Sequence, residues 1–436
     1  VSATPGPDLR ANGFGENEYA VSGVATRFAP RGPRSVIAIG EDRYTTRILV
    51  RRPLDDADFS GTVVVEWLNV SSGSDAAPEY TYLADEVIRS GHAWVGVSTQ
   101  FTGITGGPAS VDGLDGPSPR GLAVRDPKRY AGLHHPGDAY SYDIFGGIGA
   151  VLRSPDTADH PLTGLTVRQL LAVGESQSAM ALTTYANLFT TVHDVYSGIL
   201  IHSRAAAGMS LGDVGAGVDI DRVFDGEPAT VDSDVPVFVV QTETDVLTDF
   251  ASHRVRQPDT DRLRIWEIAG TAHADLHQIG PYEHMLGCPT PVNRGQQRFV
   301  LRAALRHLHG WAGGADPPPV AAPLEIDRSG PTTEFVVDEI GNVRGGVRTP
   351  CVEAPTQVLS GIVRGDVSRL CRLFGSTTSA DPEAIGRRYR GRTDYLERYH
   401  RATDAAIDAG FVLSADRAEL LADARPDLVA ERTSVG

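Results

Sequence analysis

The chain has 436 residues, 41% of them hydrophobic and 22% charged, a balance that supports a sizeable core and excludes disorder of the whole chain. Its formal net charge of −16 argues against a nucleic-acid or anionic-membrane partner, since those require clustered positive charge. No run in the sequence approaches the roughly 18–20 apolar residues of a transmembrane helix, so no membrane span is expected.

Residues 1–18, VSATPGPDLRANGFGENE, are polar and carry Pro and Gly, and read as a flexible N-terminal segment. Such a start suits the processed N-terminus of a secreted protein or a trimmed chain; a cytoplasmic location stays open. YAVSGVATRFAP (19–30) and RYTTRILVRRP (43–53) alternate as antiparallel strands do. TVVVEWLN (62–69), HAWVGVSTQ (92–100), RQLLAVGES (168–176), YSGILIHS (196–203), VPVFVVQTETD (235–245) and LRIWEIAG (263–270) follow. Several are continuously apolar, which suits strands buried on both faces of a parallel sheet. Helical patterns at 79–91, 138–153 and 178–189 lie between them, and strand–helix alternation predicts an α/β fold with an eight-stranded, mostly parallel sheet flanked by helices. The expected core is 19–312.

GGADPPPVAAP (313–323) is a stiff connector. Beyond it, 333–350 reads as strand, turn and strand, 393–411 as an amphipathic helix, and 414–424 as another with Ser414 as its cap. Residues 313–436 are expected to form a C-terminal extension that packs on the core as a lid. Cys288, Cys351 and Cys371 match neither a disulfide scaffold nor a zinc site, and one disulfide or none both remain open.

In LAVGESQSAMALTTYANL, Ser176 ends a predicted strand and precedes a helix, where a sharp turn exposes the hydroxyl and aims the Gln177 N–H at an oxyanion. Ser178 replaces the last Gly of G-x-S-x-G, so taken alone Ser176 fits an ordinary strand-to-helix junction as well as a nucleophile. Its partners favour the nucleophile. A reactive Ser needs an imidazole, and the imidazole needs a carboxylate. Glu243 and Asp245 follow a buried strand, and His273 follows the last one, in the order Ser, acid, His. Asp245 is preferred because it stands on the loop four positions past the strand, with Glu243 as the alternative. HADLH also spaces His273 and His277 four apart, with His284 further on, but the additional ligand and general base of a two-His helical zinc site are not evident. No metal is expected. The loop in VEWLNVSSGSDAAPE (65–79) should supply the second oxyanion donor, the backbone N–H of Asn69 or Val70, with the Asn69 side chain ordering the loop. Asp138, in LHHPGDAYSYD, reads as a helix cap or a pocket wall.

The stretches VVVEWLNV, DPKRYAGLHHPGDAYSYDIF, GESQSAMALTTYAN, QTETDV, WEIAGTAHAD and LCRLFGSTT together resemble a branch of the α/β-hydrolases known generically as the alpha/beta hydrolase domain family. In that family GxSQS is the usual form of the nucleophile motif. The resemblance spans nearly the whole chain and implies an esterase-like serine hydrolase; it does not fix the substrate.

The sequence is thus read as a serine hydrolase of small-molecule carboxylic esters with no cofactor. Ser176 is the nucleophile, His273 the base and Asp245 its orienting acid, with N–H groups at Gln177 and Asn69–Val70 holding the oxyanion. The same residues would serve thioester, lactone or amide hydrolysis or acyl transfer. A non-catalytic binding protein on the same fold is the rival from another class.

Overall fold

In the computed structural model, which describes residues 6–110, 121–154 and 159–431, eight strands assemble into one sheet. They are β1 (Phe14–Gly32), β2 (Ser35–Pro53), β3 (Thr62–Trp67), β4 (Ala93–Val97), β5 (Gln169–Glu175), β6 (Gly198–His202), β7 (Val237–Thr242) and β8 (Leu263–Ile268). Their spatial order is β1-β2-β4-β3-β5-β6-β7-β8. β1 and β2 form an antiparallel hairpin, β2 meets β4 antiparallel, and β4, β3, β5 and β6 run parallel. Flanking helices include α1 (Pro78–Arg89), α2 (Ser141–Arg153) and α3 (Gln177–Leu188). This is the α/β architecture expected from the alternation of apolar runs and helical patterns.

Every residue of β3 to β7 is buried, which is why those runs are apolar without alternation. Each fully buried Val, Leu or Ile there contributes about 1.5–3 kcal/mol. α1 starts where Pro78 presets the backbone and where the buried Glu66 carboxylate, reaching from β3, accepts the N–H groups of Glu79 and Tyr80 at 3.1 and 2.9 Å.

The hairpin is longer than expected. β1 begins at Phe14, paired with Pro53, so residues 14–18 of the expected flexible segment are strand. Their charges face partners across the hairpin and beyond: Glu16 accepts from Arg51 at 2.8 Å, and Glu18 accepts from Arg129 Nε at 2.9 Å. Residues 1–5 of that segment and 432–436 of the expected extension lie outside the described residues.

The chain divides into two compact units. One comprises Val1–Val239, Arg254–Arg264 and Leu305–Pro317; the other comprises Val240–His253, Ile265–Ala304 and Pro318–Gly436. The division therefore does not fall at residue 312, where the composition changes. Within the second unit, the end of β8 and the residues after β7 and β8 are stitched to those after Pro318. Val347 N–H donates to Glu267 O at 2.7 Å, Ala269 N–H to Val347 O at 3.0 Å, and Thr244 Oγ1 to Gly361 O at 2.7 Å.

The expected strand–turn–strand at 333–350 is present in short form: Glu334–Phe335 pairs with Ile326–Asp327, and an antiparallel bridge joins Val337 to Val343. Asp338 pulls the rest into a turn by accepting the N–H groups of Ile340, Gly341 and Asn342. A helix does run from Arg392 to Asp408. Ser414 is not a helix cap: it opens a 3₁₀ turn, and Asp416 holds the position before the helix Arg417–Ala422. No helix among the described residues is long and apolar enough to cross a membrane.

Candidate active site

Ser176 has φ 63° and ψ −119°, a positive φ that a residue with a Cβ rarely adopts. Holding it there costs on the order of 1–3 kcal/mol, which the surroundings must supply. Its N–H donates to His202 O at 2.9 Å, and its carbonyl accepts the Met180 N–H at 3.1 Å. The turn brings β5 and α3 so close that a Cβ on Gly174 would lie 2.9 Å from Ser178 Cβ. This is the packing reason for small residues at 174 and 178. Ser176 itself is partly exposed while its neighbours are buried. Gln177 is the first residue of α3, and an N–H at that position has no acceptor within its own helix.

The loop after β3 is organised differently from expectation. Asn69 N–H donates to Ala76 O at 2.9 Å, and Ala76 N–H returns to Asn69 O at 2.8 Å. The Asn69 N–H is thus already committed, which removes it as an oxyanion donor unless this bridge opens. The Asn69 side chain orders the loop, donating to Glu175 O at 3.0 Å and accepting from Ser71 N at 2.8 Å. Val70 N–H donates to Gln177 Oε1 at 3.2 Å, a long bond to a neutral carboxamide. Gln177 Nε2 in turn donates to Gln100 Oε1 at 2.7 Å. Asp138, expected as a cap or pocket wall, is a buried hub that accepts from Phe101 N and Val218 N, both at 2.7 Å. Sequence reading missed the Gln177 and Gln100 side chains, because amide-to-amide contacts between distant segments leave no periodic signal.

Asp245 and His273 belong to the second unit. Asp245 sits on a short helix, Glu243–Leu247, and not on the loop expected from the sequence. A reciprocal capping box with Thr242 makes that helix: Asp245 Oδ2 accepts the Thr242 N–H and hydroxyl, both at 2.7 Å. The other oxygen, Oδ1, lies 2.7 Å from His273 Nδ1. Burial of Asp245 works against its charge, but His273 and the two Thr242 donors outweigh it and hold the carboxyl below its ordinary range. Gly270, at φ 71°, turns the chain out of β8, and the Phe250 ring packs 4.4 Å from the His273 ring. His273 N–H donates to Thr244 Oγ1 at 3.2 Å.

Glu243, the alternative acid, faces elsewhere. Its buried carboxylate accepts Gly270 N–H at 2.6 Å and Gly361 N–H at 2.8 Å, and burial pushes it up to about 7. It ties together the backbone around His273. Asp275 caps the next turn through Gln278 N and accepts from Gln297 Nε2 at 2.9 Å. His284 Nδ1 lies 3.1 Å from Pro281 O. Among the described residues, the one group with ligand atoms close enough to share a metal ion is Glu79, Glu175 and His202, in the first unit. Cys288 and Cys371 form a disulfide, and Cys351 is a free thiol whose burial pushes it up to about 11.

Solved structures similar to the chain include a serine hydrolase without a lid from Xanthomonas campestris, at 13% identity and TM-score 0.33, covering 65% of this chain and 94% of that one. An esterase from Rhizomucor miehei matches at 12% identity and TM-score 0.34, covering 70% and 92%. A thermostable esterase from Pseudomonas putida matches at 12% and 0.33, covering 68% and 82%. No curated protein sequence matches the chain. The profile of the alpha/beta hydrolase domain family matches residues 1–422, and the chain belongs to that family.

Proposed function

We propose that the protein is a serine hydrolase that cleaves small carboxylic esters through Ser176, His273 and Asp245. The observation that carries the reading is the Ser176 turn: a non-glycine residue at positive φ between a buried strand and a helix, with its side chain on the partly exposed residue of an otherwise buried stretch. Strain of that kind persists where surrounding structure enforces it and is concentrated at functional sites. The buried Asp245–His273 pair supports the reading, since a carboxylate on Nδ1 fixes the tautomer that leaves Nε2 as the base.

In this mechanism Ser176 Oγ attacks the acyl carbon while His273 Nε2 takes its proton. The tetrahedral oxyanion is held by the Gln177 N–H and by the Val70 N–H, once the latter leaves the Gln177 carboxamide for the stronger, charged acceptor. His273 then returns the proton to the leaving alcohol, which departs and leaves the acyl group on Ser176. Water deprotonated by His273 attacks the acyl-enzyme, and the proton passes back to Ser176 as the acid is released. Asp245 stays ionised throughout.

A fluorophosphonate probe followed by peptide mass spectrometry tests this, together with turnover of p-nitrophenyl esters of increasing chain length. Labelling at Ser176 that disappears in His273→Ala is the expected result. Folded parent protein that neither takes the label nor turns over any ester would sink the reading and leave a binding protein on the same fold.

A further inference from the structure

His202 ends β6 beside the nucleophile turn: it pairs with Glu175 across the β5–β6 ladder, and its carbonyl accepts the Ser176 N–H at 2.9 Å. Its imidazole reaches the other way. Nδ1 lies 2.8 Å from Glu79 Oε2, both side chains are fully buried, and the Tyr82 ring stands edge-on to the imidazole at 5.5 Å. The second Glu79 oxygen has no hydrogen-bond donor among the described residues, so His202 is the hydrogen-bond partner on which that side chain depends. Glu79 is itself placed by Glu66, which holds its N–H and that of Tyr80 and also accepts from Trp94 Nε1 at 2.9 Å. An unbroken chain of contacts thus runs from β3 and β4 through the start of α1 to the backbone of the strained Ser176.

We propose that the buried Glu79–His202 pair is a positioning device for Ser176, fixing the His202 carbonyl that holds the nucleophile at positive φ. It rests on the hydrolase reading for its catalytic consequence, but not for its structural one. A buried hydrogen-bonded pair sets geometry tightly, because neither partner can relax toward water, and small displacements of a nucleophile are expensive in rate. The Glu175 carboxylate offers a ligand atom within 4.8 Å of both residues, so the three could also be viewed as cation ligands. The direct Nδ1–Oε2 contact argues against this: at 2.8 Å it is of hydrogen-bond length, so these two atoms share a proton and do not flank an ion.

The test compares parent, His202→Leu, His202→Asn and Glu79→Gln by two readouts: amide exchange of the peptide containing Ser176, and the saturating rate and half-saturation of fluorophosphonate labelling. His202→Leu is expected to exchange about tenfold faster and to label at least about tenfold more slowly, with half-saturation changed less than about twofold. His202→Asn, whose amide nitrogen stands near the Nδ1 position, is expected to restore both to within about threefold of the parent. Folded His202→Leu with parental exchange and parental labelling overturns the proposal. Should His202→Leu not fold, Glu79→Gln decides: exchange about threefold faster supports the device, and unchanged exchange overturns it. A parent that takes no label at Ser176 sinks the hydrolase reading alone, and the exchange comparison still decides this one. A stoichiometric divalent metal in the purified protein overturns it in favour of a ligand set.

Discussion

Asp245 and Glu243 stand two positions apart, both fully buried, yet only Asp245 meets the imidazole. Replacing Asp245 by Asn keeps the shape but reverses the hydrogen bond that selects the His273 tautomer. Steady-state ester kinetics should then show kcat falling by about 10⁴-fold with little change in KM. Glu243→Gln should spare turnover far more, and its effect should appear in stability against pH. The Glu243 carboxyl lies at about 7 in the fold against an ordinary 4.5, so the folded chain retains a proton that the unfolded chain releases between those values. Its contribution is complete below 4.5 and is lost as pH rises through 7; it amounts to roughly 3 kcal/mol. Guanidinium unfolding at pH 5 and pH 8 should show parent stability falling relative to Glu243→Gln by up to that amount, and parallel curves would refute the assignment. The sequence could place Asp245 just past the strand because that distance is a local property. It could not reveal that Glu243 binds the backbone of Gly361, which is 118 residues away.

At the scale of elements, the β5–turn–α3 junction ties sequence to site most directly. A run of apolar residues ending in Gly-Glu-Ser-Gln-Ser reads as strand into helix, and the structure places the boundary at Ser176. Gly174 is required by contact: a Cβ there meets Ser178 Cβ at 2.9 Å and Leu182 Cδ1 at 3.1 Å. Gly174→Val adds two further methyl groups and should destabilise the protein by about 1–3 kcal/mol or more in guanidinium unfolding. It should also slow labelling at Ser176 beyond any change in probe affinity, because the helix can yield only by tilting its first turn. Continuous apolar strands were legible because burial on both faces leaves a plain signature in composition. The extra length of β1 was not, since Glu16 and Glu18 read as part of a solvated tail until their partners, Arg51 across the hairpin and Arg129 beyond it, are known. The pairings after Pro318 are shorter than expected for a related reason: alternation over a few residues does not say how far a neighbouring strand runs.

At the scale of the whole molecule, composition alone suggested a core followed by a tail beginning near residue 313, but the chain's own hydrogen bonds group the tail with the His273 segment. The Cys288–Cys371 disulfide fastens that grouping across 83 residues of sequence. Immediately after Cys371 the backbone runs against the candidate base: Leu373 O accepts the Ala274 N–H at 3.0 Å, and Phe374 O accepts the Asn293 N–H at 2.8 Å. Gly375 comes so close that a Cβ there would lie 2.6 Å from Ala272 Cβ. The residues on both sides of His273 are therefore held by the segment that the disulfide anchors. A cross-link closing a loop of this length stabilises a fold by about 2–4 kcal/mol, chiefly by restricting the unfolded chain. Cys288→Ser should lower unfolding free energy by that amount, and dithiothreitol should do the same to the parent but not to the variant. If the disulfide also braces His273, turnover will fall at temperatures well below unfolding, and labelling of Ser176 will slow in parallel, since on the proposed mechanism both need His273 in place. Loss of stability with undiminished turnover in the cold would make the cross-link a staple of the fold alone, and the bond that Leu373 O accepts from Ala274 N–H would then suffice to hold the segment beside His273.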